Sequence, residues 1–319
     1  MSDIKRILAI DGGGIKGVFP AAFLADIEDT LERPIHRYFD LIAGTSTGGI
    51  IALGLGLGLK ASEILDFYKR YGPKIFAGNR FVLTIKQALW RKYDHQCLRR
   101  ALEQTFGDKL ISDAKTRLVI PSMNIDTGEV HIFKTKHHPK FERDYKVQAV
   151  DVALATASAP TYFPLFKTAS EFPLVDGGLW ANNPVGMAVV EGIGVLGWSK
   201  EDLRVLSLGC TESPFDVGLL RKRNIGWYWA TKTVDAFMAG QSSGSLGTAY
   251  TLIGHENVIR INQVVTKGRF ALDSAKQVSE LCALGKNRAR NESAKIKPMF
   301  FYETAEEFSQ INGFKVASA

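Results

Sequence analysis

Short apolar runs and glycine-rich turns alternate along the first part of the chain. Ile7 to Ile10 is an unbroken apolar run that ends in Asp11-Gly12-Gly13-Gly14, and Phe19, Phe23, Ile27 and Leu31 follow at spacings near four. Tyr38 to Ala43 is a second run. It ends in Gly44-Thr45-Ser46-Thr47-Gly48-Gly49 and is followed by the apolar stretch Ile50 to Leu57. A run of strand length, a sharp turn and a helical period thus occur twice within 60 residues. That alternation predicts an α/β sandwich around a largely parallel sheet.

Further elements follow the same logic. Ser62 with Glu63 opens a helix carrying Ile64, Leu65 and Tyr68, and Gly72-Pro73 is expected to end it. Residues 74–94 are aromatic and basic without a clear period, which predicts a surface excursion. Leu98 to Phe106 and Val150 to Ala157 read as helices. Leu118 to Ile125 and Val130 to Phe133 flank Asp126-Thr127-Gly128 and read as paired strands. Leu174-Val175 is a short apolar run closed by Asp176-Gly177-Gly178. Asn183-Pro184 opens a helix running to about Leu196, and Leu203 to Leu208 alternates as a strand. In the last third, helices are expected near 228–240, 271–290 and 303–310, with a strand at Val258 to Ile261. No repeat or linker interrupts this order, so residues 1–319 are expected to form one domain whose last third covers the sheet.

Composition narrows the class. Hydrophobic residues make up 45% and charged residues 23%, which fits a globular fold rather than disorder or a coiled coil. A net charge of +7 favours anionic partners: phosphates, nucleic acid or an anionic membrane surface. Cys97, Cys210 and Cys282 are dispersed and odd in number, which argues against a disulfide framework or a paired-cysteine metal site and fits a reducing cytosol. The start Met1-Ser2-Asp3 lacks the features of a signal peptide. Leu41 to Leu59 carries no charge over 19 residues, near the length of a membrane span. Its six glycines, several clustered with Ser and Thr in the first half, favour strand, sharp turn and buried helix instead.

Two turns carry candidate chemistry. Gly12, Gly14 and Gly17 fit G-x-G-x-x-G after a strand and before a helix, the setting of a dinucleotide site. The second strand ends without the acidic residue that a ribose requires, and no Gly-Lys-Ser/Thr completes a P-loop. What remains is a set of backbone N–H groups suited to an anion, either a phosphate or the oxyanion of acyl transfer. Gly44-Thr45-Ser46-Thr47-Gly48 is G-x-S-x-G between a strand and a helix, the setting of a nucleophile elbow, with Ser46 as nucleophile. The serine needs a base. His255, late in the chain and just before a strand, would complete a triad. His36 precedes the nucleophile, and His137-His138 lie in a basic loop expected to be solvated. Asp176, between an apolar run and two glycines, could take the proton directly. Composition leaves dyad and triad both open, and a non-catalytic nucleotide-binding module is the rival from another class. No helix-turn-helix, zinc knuckle or RNA-binding signature supports nucleic acid as partner.

Taken together, Asp11-Gly12-Gly13-Gly14-Ile15-Lys16-Gly17, the Ser46 turn, Ala157-Ser158-Ala159-Pro160 with Tyr162-Phe163-Pro164, and Asp176-Gly177-Gly178 resemble the motifs of patatin-like phospholipases in order and spacing. The resemblance covers roughly residues 5–210. It implies a three-layer α/β/α fold with a central, mostly parallel sheet. It implies a Ser46–Asp176 dyad without histidine, an oxyanion hole at Gly12, Gly13 and Gly14 with Lys16 beside it, and no metal or other cofactor. The implied activity is ester hydrolysis at membrane glycerophospholipids by a cytoplasmic enzyme working peripherally at the inner membrane. The chain also resembles bacterial members that act as antiphage effectors switched on by cyclic oligonucleotides. For such an activator, or for lipid headgroups, Arg221-Lys222-Arg223 and Lys286, Arg288 and Arg290 are the basic candidates. The segment from Phe76 to Tyr93, with Phe81 and Trp90, is the candidate for docking on a bilayer or lining an acyl channel.

Overall fold

The computed structural model describes residues 4–76, 93–168, 172–214, 226–266, 268–273 and 275–311. The chain begins with β1 (Lys5–Ile10), α1 (Val18–Glu28), β2 (Leu41–Gly44), α2 (Thr47–Gly56), α3 (Ala61–Ile75) and α4 (His95–Phe106). Next come β3 (Arg117–Asn124), β4 (Val130–Lys134), α5 (Ala149–Thr156), β5 (Phe166–Lys167), β6 (Pro173–Asp176), α6 (Gly178–Ala181) and α7 (Val185–Val190). The last are β7 (Leu203–Leu208), α8 (Gly226–Ile253), β8 (Val258–Ile261) and α9 (Val278–Phe300).

Among the described residues the sheet runs β5-β6-β3-β2-β1-β7-β8, with β4 paired to β3. β3, β2, β1, β7 and β8 are parallel, while β4 and β6 run antiparallel to β3. Alternation along β1 sorts its side chains into two cores. Ile7 and Ala9 pack on one face with Val185, Ala188 and Val189 of α7 and Ala249 and Ile253 of α8. Leu8 and Ile10 pack on the other with α1, α2, α3, α5 and α9. The result is a three-layer α/β/α sandwich, as the resemblance implied.

One feature of the register positions the site. β2 pairs with β3 at Arg117–Val119, β6 pairs with β3 at Ser122–Asn124, and β4 pairs with Val119–Met123. A strand has two edges. β4 occupies one, so β2 and β6 share the other, and β6 continues where β2 stops. Asp176, opposite Ser122, therefore comes down onto the end of β2, where the chain turns at Ser46.

Some expectations are corrected. Gly72-Pro73 does not end α3, which continues to Ile75. Residues 303–310 are not helical: Ala305 donates its N–H to the Arg37 carbonyl and Ile311 to that of Lys136, so this segment bonds to other parts of the fold instead of to itself. The expected helix at 271–290 is displaced along the chain to Val278–Phe300, and the one near 228–240 extends over Gly226–Ile253. The uncharged stretch 41–59 is β2, the elbow and the buried helix α2, and among the described residues no helix is long and apolar enough to cross a membrane. Arg221-Lys222-Arg223, Phe81 and Trp90 lie outside the described residues.

Candidate active site

Ser46 sits between the last residue of β2 and the first turn of α2 with φ 55° and ψ −121°. A non-glycine residue at positive φ is strained. The strain is imposed by close packing at the turn. A Cβ on Gly48 would stand 2.2 Å from the Ile10 carbonyl oxygen, so α2 can start this close to β1 only with glycine there. Hydrogen bonds hold the turn on several sides. Thr45 N–H donates to the Ile10 carbonyl (3.1 Å) and Thr45 Oγ1 to the Ala181 carbonyl (2.5 Å). Ser46 N–H donates to Thr156 Oγ1 (3.0 Å), which itself donates to the Pro121 carbonyl (2.6 Å). Thr47 shares a hydrogen bond with the Tyr68 hydroxyl (2.5 Å). Ser46 is half-buried, whereas the residues flanking it in the turn are buried.

Ser46 Oγ donates to Asp176 Oδ2 at 2.7 Å. The other carboxylate oxygen accepts from the Gly178 N–H at 2.6 Å, and the Asp176 N–H donates to the Ser158 carbonyl. Asp176 is 5% exposed. Burial raises its pKa from 3.8 to about 6, opposed by the hydrogen bonds from Ser46 and Gly178. The site thus joins a strained, accessible hydroxyl to a buried carboxylate with enhanced basicity.

The glycine loop lies alongside. A Cβ on Gly12 would approach Ser46 Cβ to 3.3 Å and Asn182 Oδ1 to 2.5 Å. The Gly12 N–H donates to the Asn182 carbonyl and the Ile15 N–H to that of Leu272. Between them, the N–H groups of Gly13 and Gly14 have no acceptor among the described residues. Lys16 Nζ is held by the Thr211 carbonyl at 3.1 Å, and burial lowers its pKa against the opposing influence of Cys210, Asp11 and Glu212.

The structure does not bring His255 to Ser46. His255 precedes β8 at the amino-terminal edge of the parallel strands and stacks on Tyr250, whereas Ser46 lies at their carboxyl-terminal edge. His137 is a correction: instead of being solvated, its side chain is buried between Thr135 and Glu191, because Glu191 gives its ring a buried partner. Arg288 and Arg290 face Glu292 and Asp26. Residue-by-residue reading missed Asn182, Thr156 and His95. His95 Nε2 lies 3.1 Å from Ser158 Oγ, one residue's bonding away from Asp176. Asn182 accepts the Gly12 N–H through its backbone carbonyl, a contact that side-chain chemistry does not reveal.

The Patatin-like phospholipase family model matches residues 8–189. A Pseudomonas aeruginosa protein named a cGAMP-activated phospholipase is 41% identical over 64% of this chain and 62% of its own length. Proteins of the same name from Vibrio cholerae and Escherichia coli are 39% and 35% identical, over 56% and 71% of this chain and 55% and 70% of their own lengths. The first two matches thus span less than two thirds of those relatives. A family match over more than half of the chain, on a fold that carries the serine elbow, the glycine loop and the aspartate turn together, places this chain in the patatin-like phospholipase family.

Proposed function

We propose that the protein is a serine acyl hydrolase that releases fatty acid from membrane glycerophospholipids through Ser46 and Asp176. The observation that carries this reading is the 2.7 Å hydrogen bond from Ser46 Oγ, on its strained elbow, to the buried Asp176 carboxylate. Asp176 accepts the Ser46 proton as Oγ bonds to the ester carbonyl carbon, and the π electrons move to the carbonyl oxygen. The Gly13 and Gly14 N–H groups receive that oxyanion; a preorganised donor of this kind is typically worth ~3–4 kcal/mol. The Gly12 N–H is committed to Asn182, so Gly12 contributes close approach, and Lys16 next to the loop is tied by its Nζ to the Thr211 carbonyl. When the tetrahedral adduct collapses, protonated Asp176 gives its proton to the departing lysolipid oxygen. A water deprotonated by Asp176 then cleaves the acyl-serine, and Ser46 regains a proton. A carboxylate with pKa about 6 suits this exchange better than an ordinary aspartate, because it accepts and returns a proton near neutrality.

Residues 1–319 act in this reading as one hydrolase domain. The net charge of +7 supports peripheral work on an anionic cytoplasmic membrane surface. The names of the three bacterial relatives support a cyclic dinucleotide as activator, and the resemblance to antiphage effectors supports a role in defence against phage. Fatty acid release from mixed phospholipid vesicles, with and without cyclic dinucleotides, tests the whole reading. Wild type is expected to release fatty acid, with a faster rate when the right dinucleotide is added. Ser46→Ala and Asp176→Asn are expected to be inactive and His255→Ala active. Full activity in Ser46→Ala would refute the proposal, and loss in His255→Ala would restore the triad.

A further inference from the structure

Arg260 is a largely buried charge, its side chain 13% exposed, on β8, the edge strand of the parallel sheet and a part of the chain outside residues 8–189. Its guanidinium reaches across β7. Nη1 donates to Ser207 Oγ (2.8 Å), the residue beside it in register, and to Asp11 Oδ1 (2.8 Å); Nη2 donates to Asp11 Oδ2 (2.5 Å). Asp11, 5% exposed, is the residue at which the chain leaves β1 for the glycine loop. Its main chain is held as well: its N–H donates to the Leu208 carbonyl, and its own carbonyl accepts the Cys210 thiol at 3.3 Å. The next residue, Gly12, is bonded to Asn182, and the two after it, Gly13 and Gly14, carry the N–H groups that have no acceptor among the described residues.

The same corner of β7 and β8 restrains the loop further along. Thr211, a β-branched residue strained at φ 104°, holds Lys16 Nζ through its carbonyl, and its own N–H donates to Asn262 Oδ1. A Cβ on Gly13 would strike Cys210 Cβ at 2.5 Å. A buried ion pair is weak support for stability, since well-packed apolar residues of similar volume serve as well or better. What a planar, two-point Arg–carboxylate fork does provide is orientation.

The geometry points to Arg260 as a positioning residue: through Asp11 it fixes the glycine loop so that the Gly13 and Gly14 N–H groups converge on the oxyanion. This inference rests on the acyl-hydrolase reading above. The test uses a soluble carboxylic ester and the full chain, with rates normalised to active sites titrated to completion by a fluorophosphonate. The variants are Arg260→Gln, Arg260→Lys, Asp11→Asn and the double variant Asp11→Asn/Arg260→Gln, which keeps a neutral hydrogen-bonded pair if a lone buried charge prevents folding. Turnover by wild type and none by Ser46→Ala establishes the underlying reading first.

Each variant is then expected to lose kcat by on the order of 10²-fold, the scale of a lost oxyanion donor, with KM within about twofold. Affinity for a trifluoromethyl ketone, which forms the tetrahedral adduct, should fall in proportion to kcat. The double variant should be no worse than either single one, because the two residues act as one unit. Arg260→Lys, which keeps the charge and loses the fork, should not restore kcat. Wild-type kcat per titrated site in Arg260→Gln or in the double variant would overturn the positioning role, even if the melting temperature falls. So would a loss confined to KM.

Discussion

At the scale of single residues, the basicity of Asp176 has consequences for both rate and stability. As the proposed base the group works only when ionised, and burial has moved its pKa to about 6. The kcat/KM for a soluble ester should therefore rise tenfold per pH unit below that value and level off above about pH 7, as measured in a pH–rate profile. Stability runs the other way. The folded pKa lies above the ordinary 3.8, so the folded state holds this proton more tightly than the unfolded chain does. The stabilisation is fully present below about pH 4 and is lost as pH rises through about 6. Two units correspond to on the order of 3 kcal/mol. Asp176→Asn removes this penalty and should raise the urea midpoint at pH 8 while abolishing turnover, a trade between activity and stability of a familiar kind. Ser46 and Asp176 were legible in the sequence as candidates because each stands at the end of an apolar run among glycines, and the fold brings them within 2.7 Å. The commitment of the Gly12 N–H was not, since it depends on a carbonyl 170 positions away in the chain.

At the scale of elements, the elbow is made by the approach of α2 to β1, and Gly48 is where they meet. Gly48→Ala would put its methyl 2.2 Å from the Ile10 carbonyl oxygen, which is backbone and cannot swing aside. A loss of more than about 2 kcal/mol in thermal unfolding is expected, or failure to fold. The alternation of apolar runs and helical periods identified the strands because five of them are parallel and covered on both faces. It failed where tertiary contacts override local preference. Pro73 is tolerated within the final turn of α3. The segment after Phe300 satisfies its backbone elsewhere. His137 looked solvated among basic residues because Glu191, its buried partner, belongs to a distant helix. Arg260 offered a signal that went unused: a lone charge in the apolar strand Val258-Ile259-Arg260-Ile261 needs a buried partner.

At the scale of the whole molecule, the C-terminal segment ties the far edge of the sheet together. Arg6 of β1 is 2% exposed, and its guanidinium donates to the Glu303 carbonyl (2.5 Å) and to Glu303 Oε1 (3.0 Å). Ending the chain after Phe301 would remove these charge-assisted hydrogen bonds, and a loss of about 1.5–3 kcal/mol in urea unfolding is expected. The same arrangement links distant stretches of sequence at the opposite edge, where β8 reaches back through Arg260 to the glycine loop. The last third of the chain therefore supports the site that the first two thirds supply. That relation was legible only as far as a covering layer, because ion pairs between residues 249 and 297 positions apart leave no local pattern.

Acylation of Ser46 with the help of Asp176 is the step on which the proposed hydrolysis depends. The most direct measurement is an acid quench of the enzyme mixed with phospholipid vesicles, followed by peptide mapping by mass spectrometry. A fatty-acyl mass is expected on the peptide containing Ser46 in wild type. None is expected in Ser46→Ala, and accumulation should be slowed by at least about a thousandfold in Asp176→Asn. Fatty acid released by Ser46→Ala at the wild-type rate, or an acyl group found on another residue, would contradict that step.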